Sequence, residues 1–480
     1  MSELLPTRQA ATLQTALLDY LTTTFALADA DAQSALAAFL EHDHEGIFKG
    51  PYVRTRLPFA PASDGWATML DALPPGFMPY GHQAAAFERL SSRDRRPLPT
   101  LVTTGTGSGK TECFLLPILD HVLRARRTGH SGMKALILYP MNALANDQAA
   151  RLASLISAKP TDGTVNPYAG VSAALYTGEG GPKRTTVSPA GLITAREVIR
   201  SSAPDILLTN YKMLDHLLLR ADDAAIWEQS ADSLQYVVLD EFHTYDGAQG
   251  TDVAMLLRRL GLALKAHWPT RGTAFDTHSA DDWDRPMGRI TPVGPSATLG
   301  DGGDSAAMVG FASEISGETF DDSCVVTESR LPLEAWLADA AAPAGLESVN
   351  LTSTRLDEVT ARLGDLREGD QLCRALLASL YVPIGEPLDA QQVFANADPT
   401  DLMRHAKALP LVRELIARTQ QANTLDDLVP ILLPSGALGA GAETGAAFLS
   451  LVIAALSHLR AVLGRSAASV EVHLWIRELT

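Results

Sequence analysis

The chain has 480 residues, with 39 Lys and Arg against 56 Asp and Glu, for a net charge of −17. Hydrophobic residues make up 46% and charged residues 20%, which suits a soluble globular chain of roughly three domains and excludes a disordered acidic tail, a collagen-like rod or a coiled coil. Three well-separated cysteines exclude a disulfide scaffold or a CxxC zinc site within the chain and fit a reducing cytoplasm, while the acidic balance argues against non-specific coating of nucleic acid without excluding a local basic groove.

In chain order, residues 1–78 read as a mostly helical accessory region. Leu13, Leu17, Leu18 and Leu21 recur at helical spacing, and Ala35, Leu36, Phe39 and Leu40 give a second face before Phe48-Lys49-Gly50-Pro51 breaks the pattern. Residues 79–320 alternate short apolar runs with helical patterns. The runs are Leu101–Thr104, Ala135–Tyr139, Val171–Tyr176, Asp205–Thr209, Tyr236–Asp240 and Ile290–Val293; helical segments include Thr111–Arg124, Ala143–Ile156 and Asp252–Leu264. That alternation predicts an α/β fold, a parallel sheet with helices on both faces. The polar stretch His267–Gly288 lacks periodicity and reads as a mobile loop. Residues 321–480 are helical in pattern, with stripes at Leu411, Leu415 and Ile416 and at Phe448, Leu451, Val452 and Leu456. The apolar run Gly445–Leu456 is shorter than the roughly 20 residues that span a bilayer, so it reads as a buried helix, and no membrane partner is expected.

The strongest motif is Thr104-Gly105-Thr106-Gly107-Ser108-Gly109-Lys110-Thr111, between a predicted strand and a predicted helix. Small residues let backbone N–H groups curl around a phosphate at a helix N-terminus. Lys110 would reach the β- and γ-phosphates of ATP, and the Thr111 hydroxyl would sit on Mg²⁺. Upstream, Tyr80 and Gln83 are candidate readers of the adenine, by stacking and by two-way amide pairing.

Asp240-Glu241-Phe242-His243 closes an apolar run. Carboxylates at the C-terminal edge of a parallel sheet are placed to serve a metal nucleotide. Asp240 is assigned to the metal, Glu241 to the attacking water, and His243 to sensing the γ-phosphate. Ser296-Ala297-Thr298 follows as a coupling element able to bridge the acid cluster to a moving domain. Lys183 and Arg184, in a glycine-rich stretch, are candidates for phosphate contact.

With these motifs in order, residues 79–320 resemble the first RecA-like lobe of a superfamily 2 helicase of the DExH type. Tyr139-Pro140-Met141-Asn142-Ala143-Leu144-Ala145-Asn146-Asp147-Gln148 and Asp240-Glu241-Phe242-His243-Thr244-Tyr245-Asp246-Gly247-Ala248-Gln249-Gly250 are similar to the MrfA-like bacterial repair helicases and to the large helicase subunits of the Druantia and DISARM anti-phage systems. The resemblance implies ATP-driven movement along a nucleic-acid strand, 3′ to 5′ on DNA, in repair or anti-phage defence. It also implies strand contacts through Pro140, Asn142 and Leu144, through Thr177 and Gly178, and through Thr209 and Asn210. Such backbone contacts read no sequence. A zinc region and a second RecA-like lobe are expected to follow Thr480 or to come from a partner chain. The alternative is a nucleotide-binding interaction subunit that needs a partner lobe in trans for hydrolysis.

Overall fold

The computed structural model describes residues 6–42, 46–105, 107–159, 165–245, 247–297, 305–385, 388–433 and 442–476. It divides into two compact units: Ala60–Ser329, and Met1–Phe59 together with Arg330–Thr480.

The continuous unit is built on seven parallel strands. In chain order they are β1 (Thr100–Thr103), β2 (Ala135–Tyr139), β3 (Ala173–Leu175), β4 (Ile206–Asn210), β5 (Tyr236–Leu239), β6 (Thr291–Ser296) and β7 (Val325–Thr327), arranged β3-β4-β2-β5-β6-β1-β7 across the sheet. The main crossover helices are α1 (Gly81–Leu90), α2 (Lys110–Arg127), α3 (Asn142–Ser157), α4 (Arg196–Ser201), α5 (Tyr211–Leu219), α6 (Ala224–Ser230), α7 (Gly247–Lys265), α8 (Ala280–Asp284) and α9 (Ser305–Ser316). Pleating sorts each strand between two cores. Ala135, Ile137, Tyr139, Tyr236 and Val238 pack with α1, α2 and α3, whereas Leu136, Leu138, Val237 and Leu239 pack with α5, α6, α7 and α9. Burial on both faces explains why the strands read as unbroken apolar runs. It also places the C-terminal strand ends at one edge, where open α/β sheets bind ligands.

Three details depart from the sequence expectations. Strand β6 runs to Ser296 through Pro292, Gly294 and Pro295, residues that ordinarily argue against a strand. Strand β7 is only three residues long and lies beyond Phe320. The stretch after His267, expected as a mobile loop, is ordered by aromatic packing. Trp268 stacks on His278 with centroids 3.8 Å apart, and Trp283 meets Trp268 edge-on at 5.1 Å. Both indole N–H groups are satisfied, Trp268 by the Ala231 carbonyl and Trp283 by Asp276. Aromatic pairs of this kind replace the periodic apolar signal that a helix would have shown.

The other unit joins the two ends of the chain. Its three-stranded antiparallel sheet has Phe48–Arg56 at the centre, paired with Asn423–Thr424 on one side and Ser469–Ile476 on the other. The sequence reading kept residues 1–78 and 321–480 apart, because pairing between segments this distant leaves no local signal. Helix Ala442–Leu463 is the core element: Phe448, Leu449, Val452 and Ile453 are buried, and helices Ser353–Leu363 and Gly369–Leu380 pack on it. The apolar run Gly445–Leu456 therefore lies within a longer helix whose length and hydropathy would suffice to cross a membrane, and most of its apolar window is buried in protein.

Candidate nucleotide and strand-binding site

The loop between β1 and α2 carries the phosphate-binding pattern in the expected strand–loop–helix setting. Gly107 and Gly109 both have φ +79°, a left-handed backbone that other residues rarely adopt. A Cβ at Gly107 would meet nothing, so its conformation is the constraint; one at Gly109 would strike the Gln83 amide. The loop is braced from several sides. Ser108 Oγ donates to Thr104 Oγ1 at 2.8 Å, and His82 Nε2 lies 3.0 Å from the Ser108 carbonyl. Gln83 Nε2 donates to the Gly109 carbonyl at 3.2 Å while its Oε1 accepts from the Tyr80 N–H at 2.9 Å. The proposed base reader is thus wired to the phosphate loop. Tyr80 stacks on His82, with ring centroids 5.7 Å apart. Gly105 N donates to Glu328 Oε2 at 3.4 Å. Thr106 lies outside the described residues. Lys110 and Thr111 open the long helix α2, whose N-terminal N–H groups and dipole favour an anion.

The acid cluster sits at the end of β5, facing this loop. Burial pushes the Asp240 carboxyl up to about 6, against the opposing effects of the Glu241 N–H and the Lys110 charge. Glu241 has φ +51°; among the described residues it alone combines a side chain with a left-handed backbone. Such strain persists where surrounding contacts hold it. Here the Glu241 carbonyl accepts from both the N–H and the hydroxyl of Thr244, and the Glu241 N–H donates to Asp240 Oδ1. The strained turn carries Glu241 toward Lys110, Nζ to Oε1 3.6 Å, and toward His243, Oε2 to Nδ1 3.7 Å.

Ser296, at the end of β6, ties the motifs together. Its Oγ is hydrogen-bonded to His243 Nδ1 at 3.0 Å, and its carbonyl accepts from the Thr104 N–H at 3.3 Å. One residue thus contacts both the phosphate loop and the acid cluster. Ala297 follows, half-buried, and Thr298 lies outside the described residues.

The residues expected to meet a strand come from three other strand ends. Pro140, Asn142, Gly178 and Asn210 line one groove of about 350 Å³ with Tyr211 and Lys212. Thr177, Lys183 and Arg184 line a neighbouring cavity of about 460 Å³ with Asn146, Glu179 and Arg196. Asn210 Nδ2 donates to Asn142 Oδ1 at 2.6 Å, and Asn210 Oδ1 caps α5 by accepting from the Met213 N–H. Lys183 is exposed, 3.5 Å from Glu197. Two residues stand apart from the groove. Thr209 is buried and donates to the Tyr176 carbonyl at 2.6 Å, so it fixes the turn bearing Thr177 and Gly178. Leu144 packs partly against the sheet core. Sequence reasoning missed His82, Asn146, Glu179 and Lys212. Of these, only Asn146 carried a signal, since it falls one helical turn after Asn142.

This fold and these braced motifs define the class: a RecA-like nucleotide-binding lobe of the superfamily 2 helicase type. Residues 80–275 match the DEAD/DEAH box helicase family, and the chain carries a helicase domain of that family. The chain is similar to the Druantia protein DruE of Escherichia coli, 28% identical over 324 residues, covering 46% of this chain and 18% of DruE. It is also similar to the ATP-dependent helicase YprA of Bacillus subtilis, 32% identical over 182 residues, covering 38% of this chain and 20% of YprA. A crystal structure of the DUF1998 helicase MrfA bound to DNA and AMPPNP aligns with a TM-score of 0.39 and 20% identity, covering 74% of this chain and 42% of that one. The chain thus spans about a fifth of the length of the curated relatives it matches.

Proposed function

We propose that this chain supplies the ATP-binding motor lobe of a DNA helicase or translocase, moving 3′ to 5′, in DNA repair or anti-phage defence, within the cytoplasm. The observation that carries the reading is the position of Ser296, bonded to both the Thr104 backbone and the His243 ring. A site that merely bound nucleotide would not require that link.

Lys110 and the loop N–H groups hold the β- and γ-phosphates of ATP, with Gln83 and Tyr80 at the base. The donor set fits Mg²⁺, a hard cation that takes oxygen ligands: the Thr111 hydroxyl and the Asp240 carboxylate would hold it, and it would supply positive charge against the phosphates. Glu241 orients and deprotonates the attacking water, and His243 hands the state of the γ-phosphate to Ser296. Pro140, Asn142, Thr177, Gly178, Lys183, Arg184 and Asn210 face the sugar-phosphate backbone, and Thr209 and Leu144 hold the elements that present them. A second RecA-like lobe, in the same gene product or in a partner chain, brings the arginine fingers whose loss costs about 10³–10⁵ in rate.

The test is ATP turnover with and without single-stranded DNA, beside Lys110→Ala. Strand-stimulated turnover that Lys110→Ala abolishes is the expected result once the second lobe is present. Nucleotide binding with no turnover by the 480-residue chain alone, restored by adding a lobe in trans, assigns the motor to two polypeptides. Turnover unaffected by Lys110→Ala would falsify the assignment, and stimulation by RNA in place of DNA would change the substrate.

A further inference from the structure

The strand-binding groove holds an acidic side chain where its chemistry calls for none. Glu179 follows Thr177-Gly178 in the turn after β3. Its Oε1 accepts from Asn142 Nδ2 at 3.0 Å and its Oε2 from Asn146 Nδ2 at 3.1 Å. Asn142 and Asn146 stand one turn apart on α3, so two amide donors converge on one anion. Asn142 is held in turn by Asn210, and Asn210 by the N-terminus of α5. The carboxylate thus completes a chain of hydrogen bonds through three strand-end segments. Lys183, Arg184 and Arg196 line the cavity that Glu179 shares with Asn146. Neutral amides flanked by cations are the donors that sugar-phosphate recognition uses. A carboxylate offers them two oxygens on one face, as the non-bridging oxygens of a phosphodiester would.

We propose that Glu179 is an internal stand-in for a backbone phosphate. With no strand bound, it keeps the Asn142 and Asn146 amides turned toward the groove. A phosphate of the incoming single strand then takes its place, and the exposed Glu179 side chain swings to solvent. The inference rests on the strand-binding reading above and adds a built-in competitor to it. An intramolecular competitor lowers apparent affinity by the fraction of time it occupies the site. Glu179 therefore sets how firmly the lobe grips a strand and how readily it lets go.

The experiment measures fluorescence anisotropy of a labelled single-stranded oligonucleotide on the full chain at fixed salt. Binding of a non-hydrolysable ATP analogue monitors the integrity of each variant. Glu179→Gln removes the charge and leaves a poorer acceptor; strand affinity is expected to rise about fivefold to tenfold. Asp147→Asn, an exposed neutralisation beside Asn146 on α3, controls for general charge and is expected to shift affinity less than about twofold. When Asn142 and Asn146 are both replaced by alanine, Glu179→Gln should add little, because the donors it frees are gone. Affinity that is unchanged, weakened, or raised equally by Asp147→Asn overturns the proposal while leaving the strand-binding reading intact. A wild-type chain that binds the ATP analogue but no strand, DNA or RNA, overturns both.

Discussion

Asp240 is held at an energetic disadvantage. Burial lifts its carboxyl from an ordinary value near 3.8 to about 6, so the folded chain takes up that proton more readily than the unfolded chain. The sign follows from linkage: at pH 7 the ionised Asp240 weakens the nucleotide-free fold, and the penalty shrinks as pH falls through about 6 toward 4. Asp240→Asn should therefore stabilise the nucleotide-free chain by about 2 kcal/mol at pH 7, with the gain fading by pH 4, while ATP turnover is lost. Denaturant unfolding at the two pH values, with turnover measured in parallel, checks this; an Asn variant less stable than wild type at pH 7 refutes it. The residues assigned to the chemistry were legible as candidates because each belongs to a short contiguous motif. Of the residues that brace them, Gln83 and Ser296 were legible too, but His82 was not. His82 and Glu179 adjoin residues that the sequence does single out, but their own contacts are made 26 to 37 residues away in sequence, which no local pattern records. The left-handed turn at Glu241 was equally hidden, since no glycine marks it.

At the level of elements, the parallel sheet was legible wherever strands are buried on both faces, as at Ala135–Tyr139 and Tyr236–Leu239. It was obscured where composition misleads. In β6 two prolines interrupt the apolar run, and each lies in one ladder only: pairing to β5 ends at Val293, before Pro295, and pairing to β1 begins at Val293, after Pro292. The segment after His267 misled in the opposite direction, because its order comes from three aromatic rings rather than from periodicity. That segment also presses on α7. A Cβ added to Gly261 would strike the Pro286 carbonyl and approach Met287 Cα to 2.9 Å, both backbone atoms that cannot rotate aside. Gly261→Ala should therefore cost about 1–3 kcal/mol despite alanine's better helix propensity, read as a lowered denaturant midpoint. A stabilised variant would mean that the segment lifts off α7 at little cost.

For the molecule as a whole, the zones read from sequence and the units seen in structure differ in two respects: the central unit is wider than residues 79–320, and the two flanking zones form one unit. Ala60–Ser329 is continuous and contains the entire seven-stranded sheet, whereas the other unit needs both ends of the chain. Residues 60–329 expressed alone should melt cooperatively and bind an ATP analogue, while residues 1–59 alone should stay unfolded; circular dichroism and analogue titration read both outcomes. A 60–329 segment that does not fold would show that the sheet depends on the flanking unit. The central position of Phe48–Arg56 bears also on synthesis. This strand is made more than 400 residues before its long partner, Ser469–Ile476. The intervening sheet can close while that early strand still waits with both edges unpaired. Unpaired strand edges are templates for association with other chains. That strand therefore stays exposed until residues near position 470 are made, and a chain cut short between the two would leave a folded lobe tethered to an adhesive strand.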